Sequence, residues 1–322
     1  MHILRVDQAE HGMKLISFLA KRLENSTSAP FTQADLHRWI RTGQVRVNKG
    51  RAKAFDRLQA GDDVRVPPFA ASAAKGAGED IPVVTGQIIG QGVSVLLAHP
   101  DFLAVEKPPY LPSQPGTGHD VSLVSVLREY FAKAAYVPAP AHRLDAATGG
   151  IVLAGRAHEA QGVLHALFAA HGERMEKTYL AWVKGEWPSH GETILEDLVA
   201  KEVVALPSGA SFERMVTSGT GTDKNADAGK MARCRVMPLV CRNNATLVRI
   251  VLETGRTHQI RIQLASRSHP VIGDAKYGGP VYPRLLLHAA KLVFPWKGDT
   301  VTLLSRPQWD TPFAVSDSET VF

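Results

Sequence analysis

Cysteine is scarce in this chain of 322 residues: Cys234 and Cys241 are too few for a disulfide framework and are not spaced as a Cys-x-x-Cys metal pair. A reducing compartment, the cytoplasm, is expected. Long apolar runs are missing as well, since none approaches the roughly 18 residues of a membrane span, and the opening MHILRVDQAEHGMK has no signal-peptide core. No membrane partner is expected. Gly-x-Ser-x-Gly, a Walker loop and Gly-x-Gly-x-x-Gly are all lacking, which removes support for a serine hydrolase, a P-loop nucleotidase and a classical dinucleotide enzyme. The 13 histidines do not pair with Cys or acidic residues at ligand spacing, so neither metal nor cofactor is expected.

The composition is that of a folded chain able to bury a large core: 44% hydrophobic, 21% charged, mean hydropathy -0.09. At about 100–200 residues per domain the length favours two domains. The formal charge is +6, and most of the excess lies in residues 1–68, which hold twelve Lys and Arg against seven Asp and Glu. That asymmetry fits either a polyanionic partner or a solvated basic face.

Leu15, Ile16, Leu19 and Leu23 recur at helical spacing between Gly12 and Glu24, predicting a first amphipathic helix. Thr32-Gln33-Ala34-Asp35 reads as a capping box, and Leu36, Trp39 and Ile40 form a stripe that ends at Gly43, with Trp39 as a core anchor. Alternation at Val45 and Val47 breaks at Asn48-Lys49-Gly50 and resumes at Val64 and Val66, predicting a small β-structure. Residues 12–67 resemble the RNA-binding module first known in ribosomal protein S4. The resemblance implies that Arg38, Arg41, Arg46, Lys49, Arg51 and Lys53 bind phosphates with little base readout.

The Ala/Gly-rich stretch 69–80 marks a boundary. The expected division is an N-terminal domain at 1–68, a linker at 69–84 and a second domain at 85–322. In the latter, strands fit 93–98, the segment after the turn His99-Pro100-Asp101, and 151–154, 178–184, 246–252 and 301–304; helices fit 122–133 and 157–170. The mixture has no βαβ rhythm, so an α+β fold with a mainly antiparallel sheet is predicted. Residues 207–229 read as a long surface excursion.

Three segments carry candidate chemistry. His142-Arg143-Leu144-Asp145-Ala146-Ala147-Thr148-Gly149-Gly150 places an acid in a loop before a buried strand, where by itself Asp145 would be a turn or capping residue. Met175 to Gly185 is a strand with Tyr179 near its start. Thr254 to Leu264 packs two arginines and a histidine beside an apolar strand.

HRLDAATGGIVLAGR, EKTYLAWVKG, LETGRTHQIRIQLASRSHPVIGDAKYGG and LLLHAAKLVFP resemble the successive signature segments of the RluA-type pseudouridine synthases, and AHPDFLAVEKPPYLPSQPGTG is similar to that family's opening strand and loop. The resemblance runs in family order over residues 95–295 and implies the pseudouridine synthase fold. Gly149 departs from it, since many members carry serine there. Uridine is converted by breaking the bond from sugar C1′ to N1, turning the detached uracil and rejoining C1′ to C5, with no redox change.

The resemblance implies Asp145 as the reacting carboxylate, acting at C1′, on the ring or in forming a glycal, and Arg261 as the cation that keeps it charged. It implies Tyr179 beside the target base, stacking on it and helping to move the C5 proton, and Arg143 as the group filling the gap left by an everted nucleotide. His142, Thr148, His258, Gln259 and His288 read as hydrogen-bonders that fix loops. The expected partner is structured RNA, ribosomal rather than transfer RNA, met by a monomer. An alternative is a catalytically inactive RNA-binding or ribosome-assembly protein on the same fold; a third reading is a base-excising glycosylase, which would release free uracil.

Overall fold

The computed structural model describes residues 2–24, 33–66, 81–116, 121–170, 174–205, 211–218 and 229–320. The chain forms two compact units, Met1–Glu79 and Asp80–Phe322. The cap expected at Thr32, the stretch 69–80 and the Arg38 side chain lie outside the described residues.

In the first unit the apolar stripes become helices α1 (Leu15–Glu24) and α2 (Gln33–Arg41). Strands β1 (His2–Arg5), β2 (Arg46–Val47), β3 (Gly50–Arg51) and β4 (Asp63–Val66) form a sheet of order β1-β4-β2-β3. Leu15, Phe18, Leu19, Leu23, Leu36, Trp39, Val45 and Val64 make one buried core, with Trp39 as an anchor. Asn48 and Lys49 both take positive φ (49° and 68°), the geometry of a two-residue turn that matches strand twist, and they join β2 to β3.

Twelve strands of the second unit share one sheet: β5 (Ile88–Gly90), β6 (Val93–Ala98), β7 (Phe102–Lys107), β8 (Ala139–Pro140), β9 (Gly149–Gly155), β10 (Glu176–Lys184), β11 (Thr193–Ala205), β12 (Ser211–Ser218), β13 (Lys230–Arg242), β14 (Ala245–Leu252), β15 (Leu287–Trp296) and β16 (Asp299–Leu304). The main path runs β12-β11-β13-β14-β10-β15-β9-β7-β6-β5, with β16 beside β15 and β8 beside β9. Among the described residues β9 and β15 are the one parallel pair, so the sheet is mixed but mainly antiparallel. Every residue of β9 is buried, as an interior strand requires. Among the described residues of this unit are also helices α3 (Leu123–Tyr130), α4 (His158–Ala169) and α5 (Gln259–Ala265). The architecture is α+β. Among the described residues no helix is long and apolar enough to cross a membrane.

Gly150 shows why β9 starts as it does. Its φ is +115°, and a Cβ there would overlap the Ala289 carbonyl of β15, so the close parallel approach needs glycine.

The run after His258, to which the sequence pattern assigns no element, is helix α5: Ile260, Ile262 and Leu264 alternate in sequence while all of residues 259–264 are buried, and a period of two carries no facing information when every side is covered. One local expectation is corrected. Within 207–229, Ser211–Ser218 is not a loose excursion but strand β12, paired with β11 from Leu198↔Ser218 to Ala205↔Ser211. Its pairing is with another strand, which local composition does not report. Residues 206–210 and 219–228 lie outside the described residues.

Candidate active site

Asp145 stands in the loop between β8 and β9, and the loop is tied down residue by residue. Thr148 N–H donates to Asp145 O at 3.0 Å, closing a tight turn. Ser113 Oγ donates to Leu144 O at 2.8 Å and accepts from Leu144 N at 3.0 Å. Beneath the turn lies Lys107, the last residue of β7, with no exposed surface. Its ammonium donates to the carbonyls of Leu111 at 2.7 Å, Pro108 at 2.9 Å and Ala146 at 3.0 Å, so three N–H groups meet three oxygens. Burial pulls the Lys107 pKa down to about 7, against the charge of Asp145, which favours the ammonium. Replacing Lys107 by methionine is expected to lower stability by about 1–3 kcal/mol for each carbonyl left without a donor, read as a reduced denaturation midpoint.

Arg261 reaches this loop from α5, 116 residues along the chain. Its Nη1 lies 3.4 Å from Asp145 Oδ2, while Nε and Nη2 each donate to a separate oxygen of Asp274 at 2.7 Å. The fork is bidentate on a carboxylate with a fully buried side chain, which fixes the guanidinium plane and aims its free edge at Asp145. Asp274 is itself held by the backbone N–H groups of Lys276 (3.1 Å) and Tyr277 (3.2 Å). The preceding Gly273 has φ +81°, and a Cβ there would overlap the Arg284 carbonyl. The Tyr277 ring covers the guanidinium with Cζ 5.1 Å from its centroid. Burial lowers the Arg261 pKa, but Asp274 and then Asp145 outweigh it and raise the net value, so the cation is permanent.

Tyr179 projects from β10, where the ladder to β15 shifts register between Thr178 and Tyr179. Such a bulge re-aims a side chain. The ring touches two core clusters, one holding Leu144 and the other Leu252 and Ile260, and closes the floor of a cleft between them. Burial, and then the charge of Asp145, push the phenol well above its ordinary value, so it stays protonated at neutral pH and can donate a hydrogen bond.

The cleft has a volume of about 150 Å³, and Arg143, Asp145, Tyr179, His258, Arg261 and Leu252 are among its lining residues. A cavity of that size accepts a six-membered ring. Arg143 is exposed at its rim. The four residues expected there from the sequence therefore meet in one place.

The flanking residues divide. His142 accepts from Leu153 N (3.1 Å), His288 pairs with Ser305 Oγ (2.7 Å), and Gln259 accepts from Thr254 Oγ1 (2.8 Å) and Arg256 N (3.0 Å), all contacts that hold loops. His258 faces the cleft, which Thr148 and Gln259 also line. Sequence reasoning missed Lys107, Asp274 and Tyr277. A lysine closing the apolar strand FLAVEK, and an aspartate between glycines in VIGDAKYGG, were the available signals. Among the described residues no three His, Cys, Asp or Glu are grouped as a metal would need.

In the first unit Arg41, Arg51 and Lys53 line a separate concavity with His37 and Ile40. Arg46 is opposite Arg51 on one side and Arg65 on the other, which stacks three arginines across one sheet face. Lys49 is exposed in the turn.

Residues 101–266 match the family described as RNA pseudouridylate synthase. The chain is 30% identical over 310 residues to ribosomal large subunit pseudouridine synthase C of Haemophilus influenzae, covering 93% of this chain and 89% of that protein. It is 29% identical over 307 residues to the protein of that name from Escherichia coli, covering 92% and 89%. Among solved structures it resembles human RNA pseudouridylate synthase domain containing 1 (TM-score 0.54, 22% identity, 70% of this chain and 86% of that one). Human RNA pseudouridylate synthase domain containing 4 is similar too (TM-score 0.52, 20% identity, 66% and 88%); both show likeness of fold. A family match spanning residues 101–266, and relatives alike along more than nine-tenths of the chain, assign it to the RNA pseudouridylate synthase family, in the RluA-type branch.

Proposed function

We propose that this enzyme isomerises specific uridines of large-subunit ribosomal RNA, with Asp145 as the reacting carboxylate and the target base everted into the cleft. The observation that carries the reading is the Asp145 carboxylate against the free edge of a guanidinium locked by Asp274, at the wall of a cleft sized for a pyrimidine. The names of the relatives support ribosomal over transfer RNA as the target.

Breaking C1′–N1 leaves positive character at the sugar and negative charge on the uracil. Asp145 answers the first, by bonding to C1′ or the ring or by assisting glycal formation, and Arg261 keeps the carboxylate oriented for it. Tyr179 offers its face to the base and its hydroxyl as a donor. Eversion costs a few kcal/mol where the base was stacked, and the planar cation of Arg143 at the rim suits the vacated gap. Mapping pseudouridines in total RNA from cells with and without the gene tests the target. Loss of signal in large-subunit ribosomal RNA is expected; loss in transfer RNA alone would move the assignment there.

The first unit serves as an S4-like docking module in this reading. Three arginines in register repel one another, a cost that a polyanion relieves. Replacing Arg46 and Arg51 by alanine in the full chain is expected to weaken RNA binding at low salt. The slope of log affinity against log salt should fall by about one for each phosphate no longer neutralised. An unchanged slope would remove this face from the RNA interface.

A further inference from the structure

The proposed reaction ends with a proton to remove. Once C5 has joined C1′ it still carries its hydrogen, and a base must take it. Tyr179 is poorly suited, because its burial and the Asp145 charge beside it make the phenol hold its own proton. Lys107 lies beneath the loop with its three N–H groups engaged, and Arg261 is a permanent cation. Asp145 is the group this reading assigns to the sugar or the ring, and of the other titratable side chains of the cleft His258 remains, a residue whose sequence context marked it only as a loop-fixer.

His258 lines the same cleft as Asp145, Tyr179 and Arg261. Its Nε2 is 3.7 Å from Asp145 Oδ2, and its side chain keeps 18% of its surface exposed. The other ring nitrogen, Nδ1, lies 2.7 Å from Tyr277 Oη. When Nδ1–H donates to that oxygen, the lone pair of Nε2 is left facing the cleft. His258 holds φ 55°, ψ 20° immediately before α5, a left-handed conformation that histidine and asparagine adopt more readily than most residues.

We propose that His258 accepts the C5 proton of the target base after the C1′–C5 bond has formed, an inference that rests on the pseudouridine reading of this cleft. The electron pair of the C5–H bond returns to the ring, and the proton passes to Nε2. The base gains a proton at N1, the atom that lost the sugar, so one proton leaves C5, one arrives at N1, and no co-reactant is consumed.

The charged and titratable groups around the imidazole are Asp145, Arg261, Lys276, Asp274 and Tyr277. Burial lowers its pKa, Asp145 opposes that, and Arg261 and Lys276 add to the lowering. The ring is therefore neutral at neutral pH, the state a base needs. The imidazolium formed on accepting a proton is favoured by the carboxylate of Asp145 nearby.

The test compares two substrates on the full-length protein. Asparagine tolerates left-handed backbone, so His258→Asn removes the basic nitrogen without adding backbone strain. With uridine RNA its turnover is expected to fall about 10²–10⁴-fold with KM little changed, and deuterium at C5 should slow it further. With RNA carrying 5-fluorouridine, which has no C5 proton to lose, rearrangement should proceed at close to the unsubstituted protein's rate. That retained activity also shows that the variant is folded. Equal losses on both substrates would make His258 a positioning residue and overturn the proposal, as would undiminished turnover of uridine RNA. Inactivity of the unsubstituted protein on both would sink the pseudouridine reading itself, a separate result.

Discussion

Asparagine in place of Asp145 is expected to reduce pseudouridine formation on the order of 10⁴-fold or more while RNA affinity stays near that of the unsubstituted protein. The substitution preserves size and the turn, since the hydrogen bond that closes it uses the Asp145 backbone carbonyl and not the side chain. What it removes is the charge 3.4 Å from Arg261, and with it the group able to bond to carbon or balance a developing cation. Affinity is spared because a carboxylate repels phosphate, so its removal is not expected to weaken RNA binding. The check is single-turnover conversion alongside RNA binding. Full activity in the variant would show that another group does the chemistry.

Asp274→Ala is expected to destabilise the second unit by about 3–5 kcal/mol, and to impair catalysis even where the protein remains folded. The Asp274 side chain has no exposed surface and receives two N–H groups of Arg261 as well as two backbone donors. Without it a nearly buried guanidinium loses two of its hydrogen bonds and is drawn wholly to Asp145. The desolvation cost of the charge is then no longer offset, and the edge that should meet the Asp145 carboxylate is no longer fixed. Chemical denaturation reads the first effect and turnover at a permissive temperature the second. A variant with an unchanged midpoint would mean that the buried fork contributes little to stability.

The site is legible in the sequence to different depths. Helices α1 and α2 follow from apolar stripes whose opposite faces meet solvent. Strand β9 follows from a short apolar run after glycines. Asp145, Tyr179 and Arg261 are far apart in the chain, and no local pattern says that they meet; the family resemblance supplies that, and one cleft holds all three. Helix α5 goes unread because burial on every side erases amphipathic contrast. Asp274 escapes notice because an aspartate between glycines looks like any turn residue, and its partner is visible only when the loop is folded over α5. Lys107 escapes for a related reason. Its role depends on three carbonyls, one of them 39 residues away, and carbonyls leave no trace in sequence.

The proposed mechanism depends on a uridine sugar meeting residue 145. The most direct measurement is a crystal structure of the Asp145→Asn protein bound to an RNA stem-loop containing the uridine found by mapping. The expected result is that nucleotide turned out of its stack, its ring over Tyr179 and its C1′ facing the residue 145 side chain beside Arg261. A uridine still stacked within the RNA, or a base bound elsewhere while the cleft stays empty, would contradict it.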